Sequence, residues 1–186
     1  SYDKNRDNNL SLAGWHALND SIGDKAEKFA RGLKGIIGRE LDAISNVWPD
    51  RNAPLTRGII HADLFPDNVF FMNGNCSGLI DFYFACTDFL AYDIAICLNA
   101  WCFDSSSVFN TTKANKFMSG YQAVRKLTDD EKAALPVMAR GAAMRFFLTR
   151  LYDWINLPPN SPVKPKDPQE FFDKLNFHRG ISDIAT

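Results

Sequence analysis

Four polar side chains define the chemistry this chain could do. His61, Asp63 and Asn68 lie inside "GIIHADLFPDNVFF" (58–71), and Asp81 follows in "GLIDFY". Apolar runs press in on the loop from both sides, Ile59-Ile60 before it and Val69-Phe70-Phe71 after it. A connecting turn needs Pro66-Asp67, but it does not need the other polar groups. Transfer of a phosphoryl group to an alcohol does need them. It requires a carboxylate to orient the hydroxyl and accept its proton, and oxygen ligands for a cation that neutralises phosphate. Asp63 is the candidate base. Asn68 can return to the same cleft and offer its amide oxygen to a metal, with Pro66 stiffening the turn. Asp81 is the candidate second ligand, since Mg²⁺ commonly takes one or two carboxylates plus phosphate oxygens and water. His61 reads as a structural histidine that bonds the loop or the Asp81 backbone.

The elements that must hold these groups follow from periodicity. "SLAGWHALND" reads as a short helix, and "GDKAEKFARGLKGIIGRELDAISNVWPD" as one longer helix ending at Pro49. Gly32, Gly35 and Gly38 within it fit no phosphate-loop pattern, so close helix packing is expected there. "RGIIH", "VFFM" and "SGLIDF" read as strands, the last two joined through Asn73-Gly74-Asn75. From Asp88 onward everything reads helical. "DFLAYDIAICLNAW" and "NTTKANKFMSGYQAV" come first, and Thr128 to Glu131 then form a capping box. Pro136 is expected to start or kink "PVMARGAAMRFFLTRLYDWINL". "PPNSPVKPKDP" reads as a linker, and "QEFFDKLNFHR" as a last helix.

Composition bounds the rest. The 186 residues suffice for one domain with a hydrophobic core. A net charge of −1 argues against a nucleic-acid binder. No apolar run is long enough to span a bilayer, and the polar start does not resemble a signal peptide. Cys76, Cys86, Cys97 and Cys102 form no CxxC pair and read as small buried hydrophobes, so a cytoplasmic location is expected.

His61-x-Asp63-Leu64-x-x-x-Asn68 has the spacing of the kinase catalytic loop, with Ala62 where protein kinases carry Arg. "HADLFPDNVFF" followed by "GLIDFYFACTDFLAYDIAICLNAWCF" resembles the aminoglycoside-phosphotransferase-like kinases, and within them the homoserine kinases of that fold. "LSLAGWHAL", Trp48-Pro49, "LPVMARGAAMRFFLTRLYDW" and "KDPQEFFDKLNFHR" extend the resemblance over almost the whole chain. It implies an α+β, mainly helical unit, the C-terminal lobe of a protein-kinase-like fold. A helical lead-in (1–56), a catalytic and metal-binding hairpin (57–87) and a helical subdomain (88–186) would make up one lobe. It also implies Asp63 as catalytic base, Asn68 and Asp81 as Mg²⁺ ligands, and Asp93 of Tyr92-Asp93 as a brace for the loop. The implied reaction moves the γ-phosphate of ATP to the hydroxyl of L-homoserine. The family's shared motifs leave open choline or another amino alcohol, an aminoglycoside, or a non-catalytic binding module. No strand–lysine–strand pattern precedes Asp63. The nucleotide-gripping N-terminal lobe is therefore expected outside this chain, which alone should bind ATP poorly.

Homoserine is a zwitterion and asks for an Arg, a carboxylate and apolar walls. Arg145, with an acidic residue near Tyr83 or Asp104, is the expected lining. Choline would instead want an aromatic cage, for which Trp101, Tyr152 and Trp154 are the candidates.

Overall fold

A computed structural model describes residues 6–104, 108–158, 161–162, 164–181 and 184. Parts of the polar start and of the proline-rich linker therefore lie outside the described residues. The elements are α1 (Leu12–Ile22), α2 (Leu33–Ser45), β1 (Arg57–Ile60), β2 (Val69–Met72), β3 (Asn75–Leu79) and β4 (Cys86–Phe89). They continue with α3 (Leu90–Trp101), β5 (Phe103–Asp104), β6 (Val108–Phe109), α4 (Thr111–Val124), α5 (Asp129–Asn156) and α6 (Pro168–Arg179).

Helix α5 is the axis, and α1, α3 and α6 pack along it. Its 28 residues make it roughly 42 Å long at the usual rise. It opens with the expected capping box: Glu131 N–H donates to Thr128 Oγ1 at 3.1 Å, and Thr128 N–H donates to the Glu131 carboxylate at 3.0 Å. Pro136 lies inside this helix and does not start it. Burial of the helix on three neighbours outweighs the one backbone bond that proline cannot donate.

The second expected helix is instead interrupted. Gly23–Lys28 is a 3-10 turn, Gly32 turns left-handed at φ 81°, and only then does α2 begin. The Glu27 carboxylate reaches across the break and accepts from the N–H groups of Gly32 (2.6 Å) and Lys34 (3.0 Å). Close packing at the three glycines is not found. A Cβ at Gly38 would meet nothing within 4 Å, and one at Gly35 would meet only the Arg39 side chain. The close approach is at Gly141 on α5, against which Trp15 and Trp48 lie edge to face at 4.9 Å.

The strand reading needs one correction as well. "CTDF" forms β4, antiparallel to β1 with Arg57 opposite Phe89 and Ile60 opposite Cys86, so Asp88 and Phe89 are extended rather than helical. Four residues with little alternation carry no strand signal of their own, and the partner strand decides their state. The expected β2–β3 hairpin forms, with a register irregularity between Phe70 and Phe71, but its second strand ends at Leu79 and leaves Ile80, Asp81 and Phe82 beyond the ladder. Cys86, Cys97 and Cys102 are buried, whereas Cys76 is exposed because its hairpin stands off the core. All four thiols are free. Among the described residues no helix is long and apolar enough to cross a membrane.

Candidate active site

The loop between β1 and β2 runs over the side of α5 and is held by side chains of α3 and α5 at several of its backbone polar atoms. Asp93, in the first turn of α3, takes the backbone N–H of His61 on one oxygen (3.0 Å) and that of Ala62 on the other (2.9 Å). Ala62 is buried and left-handed at φ 62°, a conformation that opposes any Cβ. Its carbonyl accepts a hydrogen bond from the Arg145 guanidinium. The strained peptide is thus gripped on its donor side by α3 and on its acceptor side by α5.

His61 ties this loop to the end of β3. Its Nε2 meets the Ile80 carbonyl at 2.9 Å, and its Nδ1 faces the Asp63 N–H at 3.3 Å. Those partners call for the neutral tautomer with the proton on Nε2. Further along, Trp101 Nε1 donates to the Leu64 carbonyl at 2.8 Å, and Phe65 packs edge-on to Phe146 with ring centres 4.8 Å apart.

These supports leave Asp63, Asn68 and Asp81 lining one cavity of about 320 Å³ against α5. Asn68 Nδ2 donates to the Asp63 carbonyl at 2.8 Å, which leaves its amide oxygen to act as a ligand. Asp81 is exposed, and its backbone is left-handed at φ 59°. The Asp63 carboxyl is pushed above the ordinary carboxylate range by burial; Arg145 draws it back and the Asp81 charge pushes it further up. Burial also raises the Asp93 carboxyl, and its two backbone N–H bonds oppose that. Among the described residues no three His, Cys, Asp or Glu side chains converge as an all-protein metal cage. An amide oxygen and one carboxylate suit Mg²⁺, which keeps waters and takes phosphate oxygens as its other ligands.

The expected substrate residues separate. Arg145 lines the cavity, but it is 1% exposed. Its charge lies 4.5 Å from the Phe146 ring centre and 5.4 Å from that of Phe84. The buried Tyr92 hydroxyl faces the same guanidinium without a well-formed hydrogen bond. Tyr83 does not line the cavity; it is 71% exposed, with Arg6 over its ring. Asp104 does not line it either, because Lys113 (2.5 Å) and Asn110 (2.6 Å) hold its carboxylate at the start of α4. Trp101, Tyr152 and Trp154 build no cage, since Trp101 serves Leu64 and Trp154 packs on Phe29 at 5.4 Å. Sequence reading missed Phe65, Phe84, Phe146, Thr149, Asp153 and Lys166, which also line the cavity. The spacing of Arg145, Thr149 and Asp153 at i, i+4 and i+8 is the signal that could have found part of that wall.

A second groove of about 300 Å³ lies between the N-terminal segment and the β1–β4 pair. Its charges are already matched: Asp88 accepts from Asn8 at 2.8 Å and lies 3.8 Å from Arg57, and Arg51 pairs with Asp7.

A family model described as the phosphotransferase enzyme family matches residues 3–127. The homoserine kinase of Rhodospirillum rubrum is 56% identical over 181 residues, covering 97% of this chain and 56% of that protein. The homoserine kinase of Afipia carboxidovorans is 54% identical over 180 residues, covering 97% and 54% respectively. The chain thus spans about half the length of the curated relatives it matches. Among solved structures, an ethanolamine kinase of Plasmodium vivax superposes with a TM-score of 0.64 at 17% identity, over 91% of this chain and 47% of that one. That likeness is one of fold.

Proposed function

The chain belongs to the phosphotransferase enzyme family, and on that premise we propose that it is the acceptor-binding, catalytic lobe of a homoserine kinase. The observation that carries the proposal is a single cavity lined by Asp63, Asn68 and Asp81, on a chain 56% identical to a homoserine kinase. The γ-phosphoryl group of ATP passes to the side-chain oxygen of L-homoserine, the hydroxyl proton goes to Asp63, and ADP leaves. Asn68 Oδ1 and the Asp81 carboxylate are the residues that would hold Mg²⁺, whose charge offsets that of the phosphates when it is bound. Asp93, His61 and Arg145 act through the loop, holding Asp63 where the hydroxyl arrives. Catalysis of this kind is mostly positioning and electrostatics.

ATP would be gripped by an N-terminal lobe accommodated in the extra length of the relatives. An exposed apolar face supports that reading: Ile59, Phe70, Phe71, Met72, Leu79, Ile80 and Phe82 all meet solvent around the hairpin. A face of this extent on a soluble chain usually marks a contact surface. Four free thiols agree with a reducing cytoplasm.

Choline is the weaker acceptor. The aromatic rings that line the cavity already carry cations, Arg145 over Phe84 and Phe146 and Lys166 over Phe65 at 5.7 Å. A quaternary ammonium would compete with them.

The test is ADP release by the full-length protein carrying this sequence, with homoserine, choline, serine and an aminoglycoside as acceptors. Turnover is expected with homoserine, and Asp63→Asn should lower kcat by roughly 10²–10⁴-fold. Activity confined to another acceptor would overturn the substrate, and an unimpaired Asp63→Asn variant would overturn the mechanism.

A further inference from the structure

The homoserine reading leaves the amino group of the substrate without a partner, and the charges around the cavity narrow the choice. Asp63 and Asp81, with Asn68, occupy the loop end. At the other end most charges are already matched. Arg150 pairs with Glu170 at 2.6 Å and also donates to the Asp167 carbonyl at 3.2 Å. Lys166 pairs with Asp67 at 3.1 Å. The Thr149 hydroxyl bonds back to the Phe146 carbonyl at 3.2 Å. Asp153 differs: it is exposed, among the described residues no hydrogen bond or ion pair reaches its carboxylate, and partial desolvation alone pushes its pKa up.

The position of Asp153 on α5 gives that carboxylate a direction. Arg145, Thr149 and Asp153 are spaced four apart, so they form one stripe, and all three line the cavity. The stripe is roughly 12 Å long between its end Cα atoms. Helical side chains lean toward the N-terminus, which carries the Asp153 carboxylate back toward Thr149 and the catalytic loop. Asp153 also borders an adjoining space lined by Lys164 and Lys166, and the two cavities meet at Arg150, Asp153 and Lys166.

We propose that Asp153 is the specificity residue that receives the ammonium group of the amino-acid substrate. The proposal rests on the homoserine reading. A primary ammonium and an ionised carboxylate form charge-assisted hydrogen bonds, about twice as strong as neutral ones. The pairing gives a partner to a substrate group that binding must strip of water, at a carboxylate that stands open on the cavity wall. Lys166 flanks the same end, and its exposed pair with Asp67 is weak enough to exchange for the substrate carboxylate. Arg145 is left to its task at Ala62.

The experiment compares the full-length protein carrying this sequence with its Asp153→Asn and Asp153→Glu variants, using homoserine and 4-hydroxybutyrate, the same alcohol without its ammonium. Asp153→Asn should raise the homoserine KM by about 10–100-fold while kcat and the KM for ATP stay within about threefold. Asp153→Glu should recover part of the loss. The wild-type preference for homoserine over 4-hydroxybutyrate should collapse in Asp153→Asn, which a merely structural role would not produce. An unchanged homoserine KM and an unchanged preference in an otherwise active Asp153→Asn variant overturn this assignment and leave the kinase reading intact. Wild-type protein that turns over no homoserine overturns that reading and this assignment together.

Discussion

At the scale of single residues, the site depends on a few side chains that hold backbone in a shape it would not adopt alone. Asp93 shows this most directly, because its two oxygens satisfy two successive N–H groups beside a left-handed alanine. Asp93→Ala would leave those donors buried and unpaired, each worth about 1–3 kcal/mol. The expected outcome is a stability loss of about 2–4 kcal/mol in chemical denaturation, with a fall in kcat larger than the rise in either KM. Equal stability of the two proteins would show that water or a rearranged loop replaces the brace. His61 belongs to the same class of support. Its ring spans from Ile80 to the Asp63 N–H, which suits a neutral imidazole and leaves neither nitrogen for proton transfer to substrate.

At the scale of elements, α5 does the positioning. One face packs on α1, α3 and α6, while another supplies the Arg145–Thr149–Asp153 stripe to the cavity. Its seat against the N-terminal region depends on Gly141, where an added Cβ would come within 2.3 Å of Trp48 and 2.8 Å of Trp15. Both obstacles are large rings, and Trp15 is fully buried, so they have little room to yield. Gly141→Ala is therefore expected to destabilise by about 1–3 kcal/mol through overpacking, despite the better helix propensity of alanine. A melting temperature at or above that of the wild type would show that the indoles can shift.

At the scale of the whole molecule, the helical layers are joined by a buried polar knot. Asn99 of α3 donates to the Ala139 carbonyl of α5 at 2.9 Å, and its Oδ1 lies 2.9 Å from Nε2 of His178 on α6. Lys174 donates to the Asn99 carbonyl at 3.0 Å. Burial, helped by the charges of Lys174 and Arg140, lowers the His178 pKa from 6.5 to about 3. Between those values the unfolded chain binds a proton that the folded chain does not. Stability is therefore fully present above pH 6.5 and falls as pH drops toward 3. The loss reaches at most about 5 kcal/mol by linkage. Urea midpoints measured from pH 7.5 to 4.5 should fall steeply in the wild type and less in His178→Gln, which keeps a donor but does not titrate. Parallel curves for the two proteins would assign the acid sensitivity to other groups.

Much of this protein is legible in its residue order because the deciding forces are local. The Asp63–Asn68 spacing, the Asn73-Gly74-Asn75 turn, the Thr128–Glu131 cap and the apolar period of α3 each act within a few residues. The sequence alone therefore determines a mainly helical chain with a small hairpin, and the types and spacing of its reactive groups. Where a partner distant in sequence sets the state, that reading fails. β4 is extended because β1 lies beside it, and α5 runs through Pro136 because three helices bury it. The substrate end of the cavity is the clearest case. Asp104 and Asp153 are both single acids near helix ends, and local pattern does not separate them. Packing does, by giving Asp104 a lysine and leaving Asp153 open to the cavity. Which charges are neutralised and which remain for a ligand is settled by groups far apart in sequence, so only the tertiary structure decides it.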